Sequence, residues 1–433
     1  MNPAQHRLGQ THSREEHLYR EHWFSVPLDH QKPEGETIEV FAREVSRHDA
    51  PEAPWIVYFQ GGPGHRADRP LAPSGWLKEA LKDYRVLLLD QRGTGLSSPI
   101  NQQTLPLRGD TQQQANYLSF FRADSIVADA EAIRFALNSE PWSILGQSFG
   151  GFCSLSYLSF YPEGLREVFI TAGLGPLQGH PDQVYRATYQ RTAARNDEYF
   201  ERYPEDQPLA QRIAQHLSQV IELLPTGERL SAHRFQMLGS FLGGNSRIDG
   251  LHYLLEDAFV ETPAGLRLSD AFLAQVSSIV SYAQNPLYAV LHEACYGQGA
   301  ASNWSAARIA AERGDFAPDS IPFRFTGEAI MPWYFDEDPA LQPLQEVAEL
   351  IAQKDDWPDL YDLDQLAHNQ VPVAATAYFD DIYVDHGLAV QTARAVQGLQ
   401  LWETGEYHHD GLRADGEKIF ATLRGLLRNG SPG

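Results

Sequence analysis

The chain has few cysteines, few positive charges relative to negative ones, and no long apolar run. Its two cysteines, Cys153 and Cys295, are too few for a disulfide framework, and their spacing matches no metal-binding motif. The 34 Lys and Arg residues are outnumbered by 57 Asp and Glu residues, which gives a formal net charge of −23. Such a chain lacks the surplus cations that bind nucleic-acid phosphates or an anionic membrane surface. We therefore expect neither partner and interpret the charge as a contribution to solubility.

The sequence also lacks the segments that direct a protein into or across a membrane. No stretch approaches the roughly 20 apolar residues that a membrane helix requires. Residues 1–20 are polar and charged, unlike a signal peptide. We therefore expect a cytoplasmic protein. Its 433 residues, 42% of them hydrophobic, exceed the length of one ordinary domain and predict either two domains or one large body with an insertion.

Short β-rich runs alternate with helical periodicity over the first 175 residues. Strands that are apolar throughout and separated by helices are typical of parallel sheets. We therefore predict an α/β fold with a mostly parallel sheet and helices on both faces. The predicted strands are 55–59, 84–89, 142–145, 168–170, 371–377 and 399–402, and the predicted helices include 125–138, 149–161 and 418–428.

The pattern changes in the middle of the chain. Residues 183–369 have mostly helical periodicity, with Leu209, Ile213 and Leu217 on one stripe, and few strand-like runs. Strand character returns after residue 370. We therefore predict an α/β body formed by residues 1–175 and 370–433, interrupted by a mainly helical cap domain at 176–369.

Asp90 and Arg92 directly follow the predicted strand 84–89. Their opposite charges at the rim of the sheet predict a structural ion pair between them, with no part in the chemistry.

A single serine stands between glycines in the stretch Gly146-Gln147-Ser148-Phe149-Gly150, between a predicted strand and a predicted helix. This G-x-S-x-G pattern at a sharp strand-to-helix turn exposes the serine hydroxyl as a nucleophile. The helix that follows directs free N–H groups towards the reacting oxygen. We predict that the N–H groups of Phe149 and of Gly62, in the loop Gly61-Gly62-Pro63-Gly64, form an oxyanion hole.

A serine nucleophile needs a histidine base oriented by a carboxylate, here in the chain order serine, acid, histidine. Asp380 and Asp381 follow the predicted strand 371–377, and His408 and His409 precede the last predicted helix. Either member of each pair fits on position alone.

Three segments together resemble the prolyl aminopeptidase (proline iminopeptidase) family of the α/β-hydrolases: QGGPG at 60–64, DQRGTGLS at 90–97 and GQSFGG at 146–151. The family usually has histidine where Gln60 stands, a difference that leaves the backbone donors in place. The length and the segments 291–304 and 325–335 suggest the longer bacterial form of the family. The resemblance implies an α/β-hydrolase fold, with a large helical cap inserted before the strand that carries the triad acid.

The resemblance also implies roles for residues near the end of the chain. EYHHDGLR is similar to that group's E-Y-x-H-D-G-L-R and points to His409 as the base, while DDIYVD points to Asp381 as the triad acid. His408 and Asp380 remain the alternatives. The implied activity is that of a serine exopeptidase that releases N-terminal proline from small peptides through an acyl-enzyme on Ser148. No metal or organic cofactor is implied.

An enzyme that removes an N-terminal residue must bind a free ammonium group, for which a partly buried carboxylate in the cap is suited. Glu293 and Glu328 are the main candidates, and Glu256 is a weaker one. A proline ring needs an apolar slot. The side chains that we consider for it are Phe149, Cys153, Tyr296, Trp304, Trp333 and Tyr334.

Related activities fit the same motifs. A cap-bearing hydrolase of this kind could also be an aminopeptidase of other or broader specificity, a tripeptidyl aminopeptidase or an esterase, because specificity depends on the geometry of the cap. A non-catalytic binding protein with this fold would require a broken triad, whereas every triad position here has a candidate.

Overall fold

The computed structural model describes residues 4–429, except for the side chains of residues 246 and 429. The strands are β1 (Gln5–Arg14), β2 (His17–Pro27), β3 (Thr37–Arg47), β4 (Trp55–Phe59), β5 (Arg85–Leu89), β6 (Trp142–Gln147), β7 (Leu165–Thr171), β8 (Phe259–Thr262), β9 (Gly265–Leu268), β10 (Val373–Tyr378) and β11 (Leu399–Thr404). The helices are α1 (Gly75–Ala80), α2 (Thr111–Leu118), α3 (Ala123–Ala136), α4 (Phe149–Phe160), α5 (Pro181–Arg202), α6 (Asp206–Gln219), α7 (Ala232–Gln236), α8 (Asn245–Glu256), α9 (Asp270–Val280), α10 (Pro286–Leu291), α11 (Ser305–Arg313), α12 (Tyr334–Glu337), α13 (Gln345–Gln353), α14 (Leu363–Ala367), α15 (His386–Ala395), α16 (Gly411–Ala414) and α17 (Gly416–Asn429). Short 3₁₀ helices cover Leu105–Arg108, Pro162–Gly164, Met237–Gly243, Glu293–Tyr296 and Gln342–Leu344.

Nine strands form one sheet in the order β1-β2-β3-β5-β4-β6-β7-β10-β11. The pairs from β5 to β11 are parallel, which confirms the predicted mostly parallel sheet. The first three strands add an antiparallel edge that the sequence analysis did not predict. Almost every side chain of β1 is exposed, so its sequence has no apolar alternation to reveal a strand.

Helices cover both faces of this sheet, as predicted. On one face α17 packs against α1 and the underlying strands, with Ile419, Phe420 and Leu423 fully buried. On the other face α3 and α4 pack against each other, with α4 on the central strands β4, β6 and β7 and α3 on β1 and β2. Full burial of one such side chain contributes roughly 1.5–3 kcal/mol, so the two apolar layers fix the sheet that carries Ser148.

The chain between β7 and β10, residues 172–372, contains mostly helices and the hairpin of β8 and β9. We call this segment the helical insertion. The predicted cap boundaries at 176 and 369 stay a prediction, and residues 1–3 and 430–433 of the predicted body lie outside the described residues. No helix within residues 4–429 is long and apolar enough to cross a membrane.

A buried arginine joins the helical insertion to the sheet body. Arg122 precedes α3, and its guanidinium donates to the carbonyls of Ala294, Gly297 and Pro358 at 3.3, 2.5 and 2.8 Å. The guanidinium carbon also lies 4.4 Å from the centre of the Trp357 ring. A buried cation that loses its hydrogen-bond acceptors is unfavourable, so these bonds hold this part of the insertion against the sheet body.

Asp90 and Arg92 do not form the predicted ion pair. Arg92 donates to Asp129 on α3 through Nε at 2.7 Å, whereas Asp90 accepts from Arg69 at 2.9 Å and from the Ala67 N–H at 3.1 Å. The prediction was wrong because the turn after β5 directs the two side chains to different sides of the sheet. Both pairs brace the rim of the sheet.

Candidate active site

Ser148 lies at the sharp turn between β6 and α4, in the strand–turn–helix context that the sequence predicted. Its φ of +55° and ψ of −122° belong to a region that is strained for a residue with a side chain. The turn is packed too closely for larger neighbours, since a Cβ on Gly146 would lie 2.2 Å from the Gly150 carbonyl oxygen and one on Gly150 2.0 Å from that of Phe59. Glycine at both flanks therefore makes this backbone possible.

His409 and Asp381 complete a hydrogen-bonded chain with Ser148. His409 Nε2 lies 2.9 Å from Ser148 Oγ, and His409 Nδ1 lies 2.9 Å from Asp381 Oδ2. A carboxylate only accepts, so Nδ1 carries the proton and Nε2 accepts from the serine hydroxyl. Asp381 is 1% exposed, and its Oδ1 accepts the N–H groups of Tyr383 and Val384 at 2.8 and 3.0 Å. These bonds fix the carboxylate behind the imidazole.

The surroundings of His409 favour its protonated form. Burial opposes the charge, but the charge and hydrogen bond of Asp381 and the charges of Glu328 and Asp410 outweigh it and raise the pKa of His409 above its ordinary value. An imidazole held this way is well suited to take up the serine proton.

The neighbouring alternatives Asp380 and His408 lie outside this chain of bonds. The Asp380 side chain is 66% exposed, with Oδ1 3.9 Å from an Arg191 nitrogen. His408 Nδ1 donates to the Asp380 carbonyl at 3.0 Å. The structure therefore brings Asp381 and His409, rather than their neighbours, to Ser148.

Backbone N–H groups approach Ser148 from two segments. Phe149 is the first residue of α4, and the first N–H groups of a helix have no acceptor within it. In the loop after β4, a Cβ on Gly61 would lie 3.2 Å from the Ser148 Cβ. The next residue, Gly62, has a φ of +128°, which favours glycine. The oxyanion roles of Phe149 and Gly62 stay predictions.

Glu328 lies among buried histidine and tyrosine side chains near the triad. The Tyr288 hydroxyl donates to Glu328 Oε1 at 2.5 Å, and His292 Nε2 lies 3.6 Å from Oε2. The Tyr185 hydroxyl is 3.0 Å from the other ring nitrogen of His292. We call Tyr185, Tyr288, His292 and Glu328 the carboxylate cluster. The sequence analysis missed Tyr288 and His292, although their i, i+4 spacing in a helical stretch places them on one side.

Glu328 is ionised in this cluster. Burial opposes its charge, but the hydrogen bond and charge of His292, the charge of His409 and the hydrogen bond of Tyr288 outweigh burial and lower its pKa to about 2. The cluster thus holds a negative charge, close enough to His409 to influence its protonation.

Glu293, the other main candidate, has a different environment. Its two oxygens accept the N–H groups of Ser305 and Ala306, at the start of α11, at 3.0 and 2.8 Å. It is 7% exposed, and burial raises its pKa. The weaker candidate Glu256 has a 57% exposed side chain beside His252. The structure therefore brings Glu328, and neither of these two, to the triad.

Tyr296 is the predicted aromatic that lies beside the carboxylate cluster. Its ring centre is 6.3 Å from that of His292 and 5.5 Å from that of Phe152. Phe149 and Cys153, on the same helix as Phe152, are fully buried. Phe149 packs on Phe152 with ring centres 6.1 Å apart, so an apolar layer extends from the start of α4 through Tyr296 to the carboxylate cluster.

The two predicted tryptophans are directed elsewhere. Trp304 donates through its indole N–H to Glu349 on α13 at 2.7 Å. Trp333 packs on Tyr334 and His233, with ring centres at 4.3 and 5.0 Å. Within residues 4–429, no recorded contact joins either indole to the carboxylate cluster. Their predicted roles in substrate binding stay predictions.

In the described part of the chain, no three His, Cys, Asp or Glu side chains are grouped so that they could hold a metal ion. Both cysteines are free and buried. The prediction that no cofactor is needed stays a prediction.

Comparison with known proteins places this geometry in context. Residues 54–231 match the family described as alpha/beta hydrolase fold. A proline iminopeptidase of Aeromonas sobria is 49% identical over 94% of this chain and 96% of its own length. The proline iminopeptidase aneH of Aspergillus aculeatus is 38% identical over 93% of this chain and 92% of its own. Among solved structures, the proline iminopeptidase of Mycobacterium smegmatis has a TM-score of 0.44 at 14% identity and covers 94% of this chain and 97% of that chain, too distant a likeness to support an argument about function.

Proposed function

We infer the activity from the premise that this chain belongs to the proline iminopeptidase family and has the alpha/beta hydrolase fold. It is a hydrolase that acts as a proline aminopeptidase. The substrates are peptides with an N-terminal proline. The roles of individual residues are our proposal, and one observation supports it above the others: the continuous hydrogen bonds from Ser148 through His409 to Asp381.

The reaction begins with attack on the proline carbonyl. Ser148 Oγ forms a bond to the carbonyl carbon while His409 Nε2 takes up the hydroxyl proton. Asp381 keeps the proton of neutral His409 on Nδ1 and stabilises the imidazolium that forms. The N–H groups of Phe149 and Gly62 donate to the oxyanion of the tetrahedral intermediate, where the charge develops.

The intermediate then collapses to an acyl-enzyme. The bond between the proline carbonyl carbon and the leaving nitrogen breaks, and His409 gives its proton to that nitrogen. A water molecule, deprotonated by His409, attacks the prolyl ester of Ser148. The bond between the acyl carbon and Oγ breaks, His409 returns the proton to Oγ, and free proline is released. Both half-reactions use the same base and the same donors, so no further catalytic group is required.

Glu328 binds the ammonium group of the N-terminal proline in this proposal. Its carboxylate is ionised, partly buried and near His409, so an ion pair formed there is stronger than one in water. The surrounding tyrosine and histidine rings leave little room for a residue that precedes proline. Glu328 therefore accounts for both the requirement for a free amine and the removal of only one residue.

Two further statements complete the proposal. Tyr296, which lies beside both Phe152 and the carboxylate cluster, contacts the proline ring in this proposal. A cytoplasmic location agrees with a chain that has two free cysteines and no disulfide.

Hydrolysis of proline p-nitroanilide by the purified protein tests the proposal. We expect turnover of the proline substrate well above that of the alanine and leucine p-nitroanilides. Ser148→Ala should reduce kcat on the order of 10⁴-fold or more, with an unchanged circular dichroism spectrum. Ser154→Ala, which alters a buried hydroxyl on the same helix, is the matched control.

Two outcomes would contradict the proposal. Full activity of Ser148→Ala would exclude the serine mechanism. Faster hydrolysis of alanine or leucine p-nitroanilide, or of a p-nitrophenyl ester, would assign a broader aminopeptidase or an esterase instead.

A further inference from the structure

A cavity of about 610 Å³ opens beside the triad and has no role in the mechanism above. Side chains from both the sheet body and the helical insertion line it. They include Asp68, Arg69, Arg247, His409, Asp410 and Arg413.

This cavity lies on the side of the leaving group. His409, which protonates the leaving nitrogen, lines it, whereas Tyr288, His292 and Glu328 of the carboxylate cluster are not among its described lining residues. The ammonium group and the scissile bond are at opposite ends of a prolyl residue. A substrate with its amine at Glu328 therefore directs the rest of its chain towards the cavity.

Three arginines line the cavity, and two of them have no carboxylate partner among the residues that the structure describes. Arg69 is bonded to Asp90. Arg247 lies over the Phe241 ring, with its guanidinium carbon 5.2 Å from the ring centre. Neither Arg247 nor Arg413 makes an ion pair or a side-chain hydrogen bond with any other residue whose position the structure describes. Both side chains are exposed, so their charges are available to a ligand.

Two aspartates also line the cavity and reduce its positive charge. The Asp410 carboxylate is turned towards the start of α8, since a Cβ on Gly244 would lie 2.1 Å from Asp410 Oδ2. Asp68 is exposed, and its charge opposes that of Arg413 at the Tyr58 hydroxyl. Even so, two guanidinium groups beside the active site, neither with a carboxylate partner within residues 4–429, are unexpected in a chain with a net charge of −23.

We propose that this cavity binds the residues that follow the N-terminal proline, and that Arg247 and Arg413 bind the C-terminal carboxylate of a short peptide. The proposal depends on the proposed function. A guanidinium group matches a carboxylate with two parallel hydrogen bonds. A cavity of this size accepts a ligand of drug-like dimensions, or about two residues. The substrate class is therefore that of di- and tripeptides with a free carboxyl end.

Three substrates separate this subsite from the general activity: Pro-Gly-Gly, its C-terminal amide and proline p-nitroanilide. They have the same amine and the same scissile carbonyl, but only the first has a carboxylate. We expect a ratio of kcat/KM for acid over amide of about 3 to 10, because exposed ion pairs contribute modestly. The ratio should decrease towards one in 0.5 M KCl, since salt screens exposed charges.

Variants then identify the residues that are responsible for the ratio of kcat/KM for acid over amide. Arg247→Gln with Arg413→Gln should bring the ratio to about one. Arg413→Lys, which keeps the charge, should retain part of the preference. Asp68→Asn removes an opposing charge and should increase the ratio. Arg394→Gln, an exposed arginine on α15 that lines a different cavity, removes one positive charge far from the site and should leave the ratio unchanged.

Equal kcat/KM values for acid and amide in the wild-type enzyme would overturn the subsite, and this measurement needs no variant. An acid preference that survives the double substitution would overturn the role of the two arginines. If proline p-nitroanilide is hydrolysed in either case, the proposed function stands while the subsite fails. If none of the three substrates is hydrolysed, the proposed function itself is contradicted and the subsite with it.

Discussion

Ser148 lies between a largely buried carboxylate, Glu328, and a cavity with two exposed guanidinium groups, those of Arg247 and Arg413. Glu328 is enclosed by Tyr288 and His292, whereas Arg247 and Arg413 surround an open cavity. The same imidazole, His409, borders both regions.

This difference predicts two kinds of recognition. A charge in a buried site is weakly screened, so the requirement for a free amine should be strong and insensitive to salt. Charges at an exposed site are screened, so the preference for a free carboxylate should be weak and sensitive to salt. We therefore expect a strict subsite for the substrate amine and a permissive subsite for its C-terminal carboxylate.

The largest effect should come from Asp381, the acid that orients the His409 imidazole. Asp381→Asn leaves the shape of the triad intact but favours the wrong imidazole tautomer, and kcat should decrease on the order of 10⁴-fold. Asp380→Asn, one residue earlier and exposed, is the matched control and should change kcat less than about twofold. Turnover of proline p-nitroanilide measures both. Equal losses in the two variants would contradict the triad assignment.

A smaller effect should come from Glu328, through the binding of the substrate amine. Glu328→Gln removes the charge at nearly constant shape, and kcat/KM for proline p-nitroanilide should decrease about 30- to 1000-fold, mainly through KM, as expected when a buried ion pair loses one partner. Glu256→Gln removes an exposed charge and should have little effect. A change in kcat alone, with KM unaltered, would exclude the ammonium role.

Glu293 should affect stability instead of recognition. Glu293→Ala leaves the N–H groups of Ser305 and Ala306 without their acceptor, and the free energy of unfolding should decrease by about 1–3 kcal/mol. Unfolding in urea measures this loss, and KM for proline p-nitroanilide should stay close to the wild-type value. A large increase in KM without a loss of stability would instead place Glu293 at the amine.

The smallest effect concerns pH. Only neutral His409 can accept the serine proton, and its pKa is raised above 6.5, so the rate at which a neutral fluorophosphonate labels Ser148 should fall as the pH decreases through a midpoint above 6.5. The Glu328 charge contributes to this raised pKa. Glu328→Gln should therefore move the midpoint to lower pH, whereas Glu256→Gln should not. An unchanged midpoint in Glu328→Gln would contradict the proximity of the two groups.

The parts of the site that could be predicted from sequence are those that depend on contiguous residues. The apolar strand, the glycines around Ser148 and the following helix are adjacent in the chain, so their pattern predicts the turn. Asp381 and His409 could not be separated from Asp380 and His408 by position, and the resemblance to a known family was needed to choose between them. The structure brings the chosen pair to Ser148.

The parts that could not be predicted depend on partners distant in the chain. Glu293 and Glu328 both lie in aromatic-rich segments, and only the folded structure shows that one meets the start of α11 and the other meets His292. The same limit explains the wrong pairing of Asp90 with Arg92. It also explains why β1, paired with β2 but exposed along its length, was not predicted.

The covalent bond that the Ser148 turn makes possible has a consequence for the order in which products leave. The shortened peptide carries the leaving nitrogen, so it departs when the acyl-enzyme forms, while the prolyl group stays on Ser148 until water attacks. Arg122 attaches the carbonyls of Ala294 and Gly297, next to the carboxylate cluster, to the sheet body. We therefore expect ordered release with proline last, and inhibition by added proline that competes with substrate.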